Sequence, residues 1–115
     1  MKNRGKYFLA EFIGSCFLVM IIVGSGLMAE NLTNDTAVML IANTIATGAG
    51  LFVLITAFAD ISGAHFNPFV SIAMTLTGKL KKELLIYYVV AQIFGCLVGV
   101  GLSLIHISEP TRQSK

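Results

Sequence analysis

Few side chains in this sequence can do chemistry, and those that can stand apart from one another. Glu11 sits in an apolar run. A carboxylate there is costly and by default marks a functional position. A second reading also stands, in which Glu11 snorkels to the interface near a helix start. His65 is titratable, or it is a loop residue that contributes only backbone. Cys16 and Cys96 each lie in an apolar stretch and read as packing residues. With no CxxC or Cys/His ligand spacing, the sequence offers no metal site. It also offers no nucleophile–base pair, phosphate loop or carboxylate dyad, so it does not read as an enzyme and implies no cofactor. The informative pair is Asn67-Pro68. Asn is a good helix N-cap, and Pro fits the first helical position because its missing N–H would be unpaired anyway.

The elements that must position these residues are apolar helices. The chain has 115 residues, 56% of them hydrophobic and 12% charged. A soluble domain carries roughly 25% charged residues. The charges are clustered: Lys2, Arg4 and Lys6; Glu30 and Asp35; then Lys79, Lys81, Lys82 and Glu83. The net charge of +2 is too small to argue for nucleic acid. Apolar spans of about 20 residues cross a bilayer, and three are expected, over about 7–28, 38–59 and 83–101. The first is too long for a signal-peptide core of about 7–15 residues, and Glu11 interrupts it.

A different segment lies between the second and third spans. Asp60-Ile61-Ser62-Gly63-Ala64-His65-Phe66 is loop-like, and Asn67-Pro68 then opens a short helix expected over about 67–77. A run of that length cannot span a bilayer and reads as re-entrant. Irregular backbone at that depth must be buried or line a cavity. The half-helix start carries partial positive charge, which repels cations. Charge sets the topology. If the short run re-enters, Lys2, Arg4, Lys6, Lys79, Lys81 and Lys82 all fall on the cytoplasmic side. The expected fold class is therefore an all-α membrane protein with three transmembrane helices and one re-entrant half-helix. Gly95, Gly99 and Gly101 read as close-packing positions. Asp60 marks the cytoplasmic interface or accepts a loop hydrogen bond. Asn43 and Thr44 face either a pore or a neighbouring helix.

The tail reads differently. Residues 102–112, from Leu102 to Arg112, resemble one reading frame of a transposon-end adapter used to build DNA sequencing libraries. Residues 102–115 are therefore expected to be non-native, and the chain to be a fragment.

Ser62-Gly63-Ala64-His65-Phe66-Asn67-Pro68 resembles the first Asn-Pro-Ala box of the aquaporin and glycerol-channel family, also called the major intrinsic protein family. Ala10-Glu11-Phe12-Ile13-Gly14 resembles the family's first-helix opening, and Tyr88 with Ala91-Gln92 and Gly95 its third helix. The resemblance covers residues from about 7 to 101. The stretches 23–30 and 42–48 look like a bacterial branch of the family, part of which is linked to metalloid transport. The resemblance implies a first inverted repeat of a channel. Asn67 would donate hydrogen bonds to passing solute. The carbonyls of Gly63, Ala64, His65 and Phe66 would line the cytoplasmic half of the pore. Glu11 would brace the loop backbone, with Gln92 in a similar supporting role. Two positions depart from the pattern. Phe69 stands at the half-helix start where Ala is expected after Pro68, and Thr47 lies near a selectivity-filter position that is often aromatic.

The resemblance implies passive permeation of water or small uncharged solutes in a multi-pass protein of the inner (plasma) membrane. Its partners would be the lipid bilayer, small neutral solutes and, at full length, three further copies in a homotetramer. A secondary transporter with a broken helix, or a short membrane protein with a structural role, are the competing classes. A transporter would need a coupling residue, for which only Glu11 and Asp60 are available.

Overall fold

The computed structural model describes the backbone of residues 3–114 and the side chains of residues 3–106. Among the described residues four helices follow one another: α1 (Arg4–Leu32), α2 (Thr36–Ser62), α3 (Pro68–Leu76) and α4 (Lys82–Ser114). α1, α2 and the Lys82–His106 part of α4 are each long and apolar enough to cross a membrane, with mean hydropathies of 2.2, 2.1 and 2.1. The chain is an all-α, multi-pass membrane protein with one additional short helix.

The helices outrun the apolar stretches that announce them. α1 begins at Arg4 rather than near 7 and ends at Leu32 rather than near 28. Hydropathy locates only the part inside the hydrocarbon, about 30 Å thick. Backbone hydrogen bonding continues into the interface until something stops it. For α2 the start is set by Asp35, whose Oδ1 accepts the Ala37 and Val38 amides at 2.9 and 3.3 Å. Its end is set by Gly63, at φ +89°, which L side chains rarely adopt. α4 continues to Ser114, beyond the expected 101.

α1 and α4 lie parallel in a fixed register. The Arg4 guanidinium donates to the Tyr87 hydroxyl at 3.1 Å, and the Ser103 hydroxyl to the Met20 carbonyl at 3.5 Å, both across 83 positions. Between them, Gly95 lies directly over the Phe12 carbonyl and Gly99 over the Cys16 carbonyl, with the same offset. Gly95, Gly99 and Ser103 are one turn apart, so small residues let the two backbones touch. Ser103 falls inside the stretch 102–115 and extends this stripe by one step.

α2 runs antiparallel to α1. Ser25 donates to Asn43 Oδ1 at 2.7 Å, Gly50 sits beneath Ile21, and Leu18 packs near Leu54. Asn43 therefore faces α1, while Thr44 is exposed. At the end of α2 the Ser62 carbonyl accepts the Tyr88 hydroxyl at 2.6 Å. The segment 63–81 thus leaves and rejoins the same end of the bundle, and α3 does not cross it. Among the described residues, buried apolar residues are few and mostly small, and one cluster among them joins Leu54, Ala64 and Phe66, flanked by Leu18, Ile21, Leu51 and Phe58. Most large apolar side chains, such as Leu40, Phe52 and Leu97, point outward. That distribution suits a lipid solvent, in which apolar burial is not the driving force.

Candidate functional site

Among the described residues, the loop between α2 and α3 holds the non-glycine residues with positive φ. After Gly63, both Ala64 (φ 53°) and Phe66 (φ 55°) are left-handed. That conformation costs a residue with a side chain roughly 1–2 kcal/mol. Something must hold it, and the holder is Glu11.

Glu11 lies seven positions into α1 from Arg4, about 10 Å along the axis, and is 0% exposed. Its Oε1 accepts the Phe66 amide at 2.8 Å and Gln92 Nε2 at 2.7 Å. Its Oε2 accepts the Ser62 hydroxyl at 2.6 Å and the His65 amide at 3.1 Å. Four donors fill the acceptor capacity of an ionised carboxylate. A buried charge without such partners would be prohibitively costly. The arrangement also explains the loop. Two consecutive amides converge on one carboxylate, so the chain must turn there, and the Phe66 ring drops onto Gly14, where no Cβ could fit. Phe58 meets that ring edge-on, with centroids 5.9 Å apart.

The network continues into α3 and α4. Gln92 Nε2 also donates to Ser71 Oγ at 2.9 Å, and Ser71 Oγ pairs with His65 Nδ1 at 2.9 Å. The His65 ring lies 4.9 Å from that of Tyr88. Loop, α1, α3 and α4 are thereby tied together by polar groups buried at the level of Glu11. Such a network rigidifies a site through its satisfied members. Among the described residues, the Gln92 Oε1 atom is buried without a hydrogen-bond partner, while its Nε2 makes both bonds.

At the tip of this braced loop stands Asn67. Its Oδ1 accepts the Phe69 amide at 2.8 Å, which caps α3 with Pro68 at the first helical position. The cap uses the carbonyl end of the amide and turns the Nδ2 end away from the helix. Asn67 itself is exposed. A donor held at a half-helix N-terminus can offer hydrogen bonds to an oxygen-bearing solute beside the positive end of the helix dipole. Phe69 is 81% exposed at the same tip.

The residues singled out by sequence are thus distributed as follows. Glu11, His65, Phe66 and Gln92 meet in one network. Gly63 and Asn67 are exposed at either end of the loop, and Ala64 is buried between them. Thr47 lies apart, half-buried on α2. Ser62 and Tyr88 stood in the sequence only as parts of the resemblance, with no role for their hydroxyls, and Ser71 carried no signal at all. Serine occurs throughout apolar helices, and only the neighbour across the fold reveals which one is bonded. Among the described residues, no group of His, Cys, Asp or Glu side chains is arranged to hold a metal ion.

The family model of the major intrinsic proteins matches residues 2–115. The chain belongs to the major intrinsic protein family. It is 50% identical over 95 residues to Aquaglyceroporin AqpS of Rhizobium meliloti, which covers 83% of this chain and 41% of that protein. It is 36% identical over 97 residues to Aquaporin A of Dictyostelium discoideum, covering 84% of this chain and 35% of that one. With rat Aquaporin-8 the figures are 40% over 95 residues, 83% and 34%. The chain therefore spans about two fifths or less of the length of these major intrinsic protein relatives. Three apolar helices long enough to cross a membrane, with a short additional helix, are consistent with membership of that family.

Proposed function

We propose that this chain supplies one half of a pore for water or small uncharged solutes. The observation that carries the reading is Asn67, fixed by its own helix so that an amide donor faces outward from a loop braced on Glu11. In this reading the carbonyls of Gly63, Ala64, His65 and Phe66 form a track of acceptors on the cytoplasmic half of the path. A solute passes from that track to Asn67 Nδ2, exchanging one hydrogen-bond partner for the next. The half-helix dipole opposes cations at the same point. Pro68 keeps the start of α3 rigid. Phe69 adds an aromatic surface beside Asn67, and Thr47 a small polar one on α2, so the two act on the width and polarity of the path. The name of the Rhizobium relative supports glycerol-like solutes alongside water.

The opposing half would be an inverted repeat with a second half-helix facing Asn67. The assembled protein would be a homotetramer in the inner membrane with its N-terminus in the cytoplasm, needing no cofactor. Residues 102–115 would be a non-native extension of α4. A coupled transporter fits less well. Its coupling carboxylate must be free to bind and release an ion, whereas all four acceptor positions of Glu11 are taken by protein donors.

Stopped-flow swelling of proteoliposomes tests the reading. A gene restored with its opposing half is expected to accelerate water or glycerol entry, and the chain of 115 residues alone is expected to match empty vesicles. Permeability from the purified chain alone, or none from the restored protein, would overturn it.

A further inference from the structure

Toward the end of the bundle away from Arg4, the Ser25 hydroxyl of α1 donates to Asn43 Oδ1 of α2 at 2.7 Å. Ser25 takes the carbonyl end of the amide, so Nδ2 keeps two N–H donors. That end is turned toward Gly26, where a Cβ would lie 3.8 Å from Asn43 Nδ2. Both helices show which face this is. Gly26 follows Glu11 by 15 positions, about four turns and 22 Å along nearly the same side of α1. Asn43 precedes Leu54 by 11 positions, about three turns and 16 Å along the same side of α2. Glu11 and Leu54 are where these helices hold the loop, through the Phe66 amide and the cluster with Ala64 and Phe66. The Asn43 amide therefore stands on the loop-bearing face of both helices, beyond the loop. It is half-buried, whereas its neighbour Thr44 is exposed.

Thr47 shares that face, four positions after Asn43 and seven before Leu54. Residues four apart on a helix are neighbours, with about 5–6 Å between their Cβ atoms. We propose that Asn43, aimed by Ser25, is a second hydrogen-bonding station for the solute and favours small polyols over water. The station rests on the pore proposed above and names the solute class that its outer part selects. A file of water loses little where a wall donor is missing, because each molecule also bonds the next in line. A polyol brings its own apolar carbons into the path, so a hydroxyl that meets no wall group is left unpaired. Thr47 and Asn43, one turn apart, offer partners to two hydroxyls of the same solute. Ser25 is the positioning residue: its bond to Oδ1 keeps the amide from turning its donors away.

The ratio of glycerol to water permeability tests it, measured by stopped-flow in proteoliposomes of the pore restored with its opposing half. Asn43→Leu keeps the size of the side chain and removes both polar ends. The ratio is expected to fall about fivefold, the effect of one lost hydrogen bond. Ser25→Ala is expected to move it in the same direction, and Ser25→Thr to restore it. Thr44→Val alters the exposed neighbour and is expected to leave the ratio unchanged. If Asn43 only ties α1 to α2, Asn43→Leu lowers both permeabilities in proportion, and that outcome overturns the station. An unmoved ratio, or an equal change in Thr44→Val, overturns it as well. Asn43→Cys, in a Cys16→Ser, Cys96→Ser background, gives a second reading. Modification by a small methanethiosulfonate reagent is expected to stop glycerol entry, and undiminished entry would remove Asn43 from the path. A wild type that passes neither solute overturns the pore itself, an outcome distinct from all of these.

Discussion

The carboxylate of Glu11 accepts the backbone amide of Phe66 at 2.8 Å, across 55 positions of sequence. This bond lets a half-helix begin inside the bundle. Without it, the left-handed Phe66 would have a buried N–H and no partner.

Replacing Glu11 should therefore loosen the loop before it loosens the helices. Glu11→Gln keeps one carbonyl oxygen but turns an NH₂ toward two donors. Ser62 can rotate its hydroxyl and Gln92 can flip its amide, but a backbone N–H cannot adapt. The His65 or Phe66 amide is left stranded, at about 1–3 kcal/mol. Glu11→Ala strands both and should cost more. Detergent unfolding followed by circular dichroism gives the loss. Hydrogen exchange should show faster exchange at His65 and Phe66 than in α2. Unchanged exchange at those two amides would contradict the bracing role.

The glycines of α4 separate by the same kind of argument. A Cβ on Gly95 would lie 2.5 Å from the Phe12 carbonyl oxygen, whereas one on Gly101 would meet nothing within 4 Å. Gly95→Ala must push α1 and α4 apart and is expected to cost about 1–3 kcal/mol. Gly101→Ala should be neutral or slightly stabilising, because alanine is the better helix former. Thermal unfolding of both variants in one detergent makes the comparison. Similar losses in the two would mean that the parallel register from Arg4–Tyr87 to Met20–Ser103 is not what holds the helices together.

How much of this could be read beforehand depends on the range of the interaction. The three apolar spans and the short helix follow from local composition, because a bilayer imposes length and apolarity on any helix that crosses it. The Asn67-Pro68 start is likewise local, since cap and first turn are neighbours in sequence. Helix ends were not legible at Arg4 or Leu32, because interfacial residues carry on a helix without an apolar signature. Glu11 could be flagged as anomalous, yet its four donors come from three different elements. Ser71 gave no warning, since a serine in an apolar run looks the same whether or not a glutamine faces it. The exposed face of Phe69 was also beyond local reading, because exposure depends on what packs around it.

Asn67 can be divided into its two ends. Asn67→Asp retains the oxygen that accepts the Phe69 amide and loses the amide donor. α3 should stay capped, whereas Asn67→Ala removes the cap as well, at about 1 kcal/mol. In a complete pore, Asn67→Asp is expected to cut water or glycerol permeability and to admit cations, since a carboxylate would offset the half-helix dipole. Proteoliposome swelling and conductance read the two effects. Wild-type permeability in Asn67→Asp would remove Asn67 from the solute path.

The parallel register of α1 and α4 makes a further demand. Asn3 and Lys81 line one cavity at one end of the bundle, while Asn34 lies between α1 and α2 at the other. Single cysteines at the three positions, in a Cys16→Ser, Cys96→Ser background, can be probed with a membrane-impermeant maleimide. In intact cells Asn34→Cys is expected to label, and Asn3→Cys and Lys81→Cys only after permeabilisation. Orientation and fold are tested separately by the pattern. If all three results invert together, the bundle is intact but inserted the other way, against the rule that Lys and Arg remain inside. If Lys81→Cys labels with Asn34→Cys while Asn3→Cys does not, the segment 63–81 crosses the membrane. The Glu11 network could not then form, because His65 and Phe66 would be carried past the level at which Glu11 waits for them.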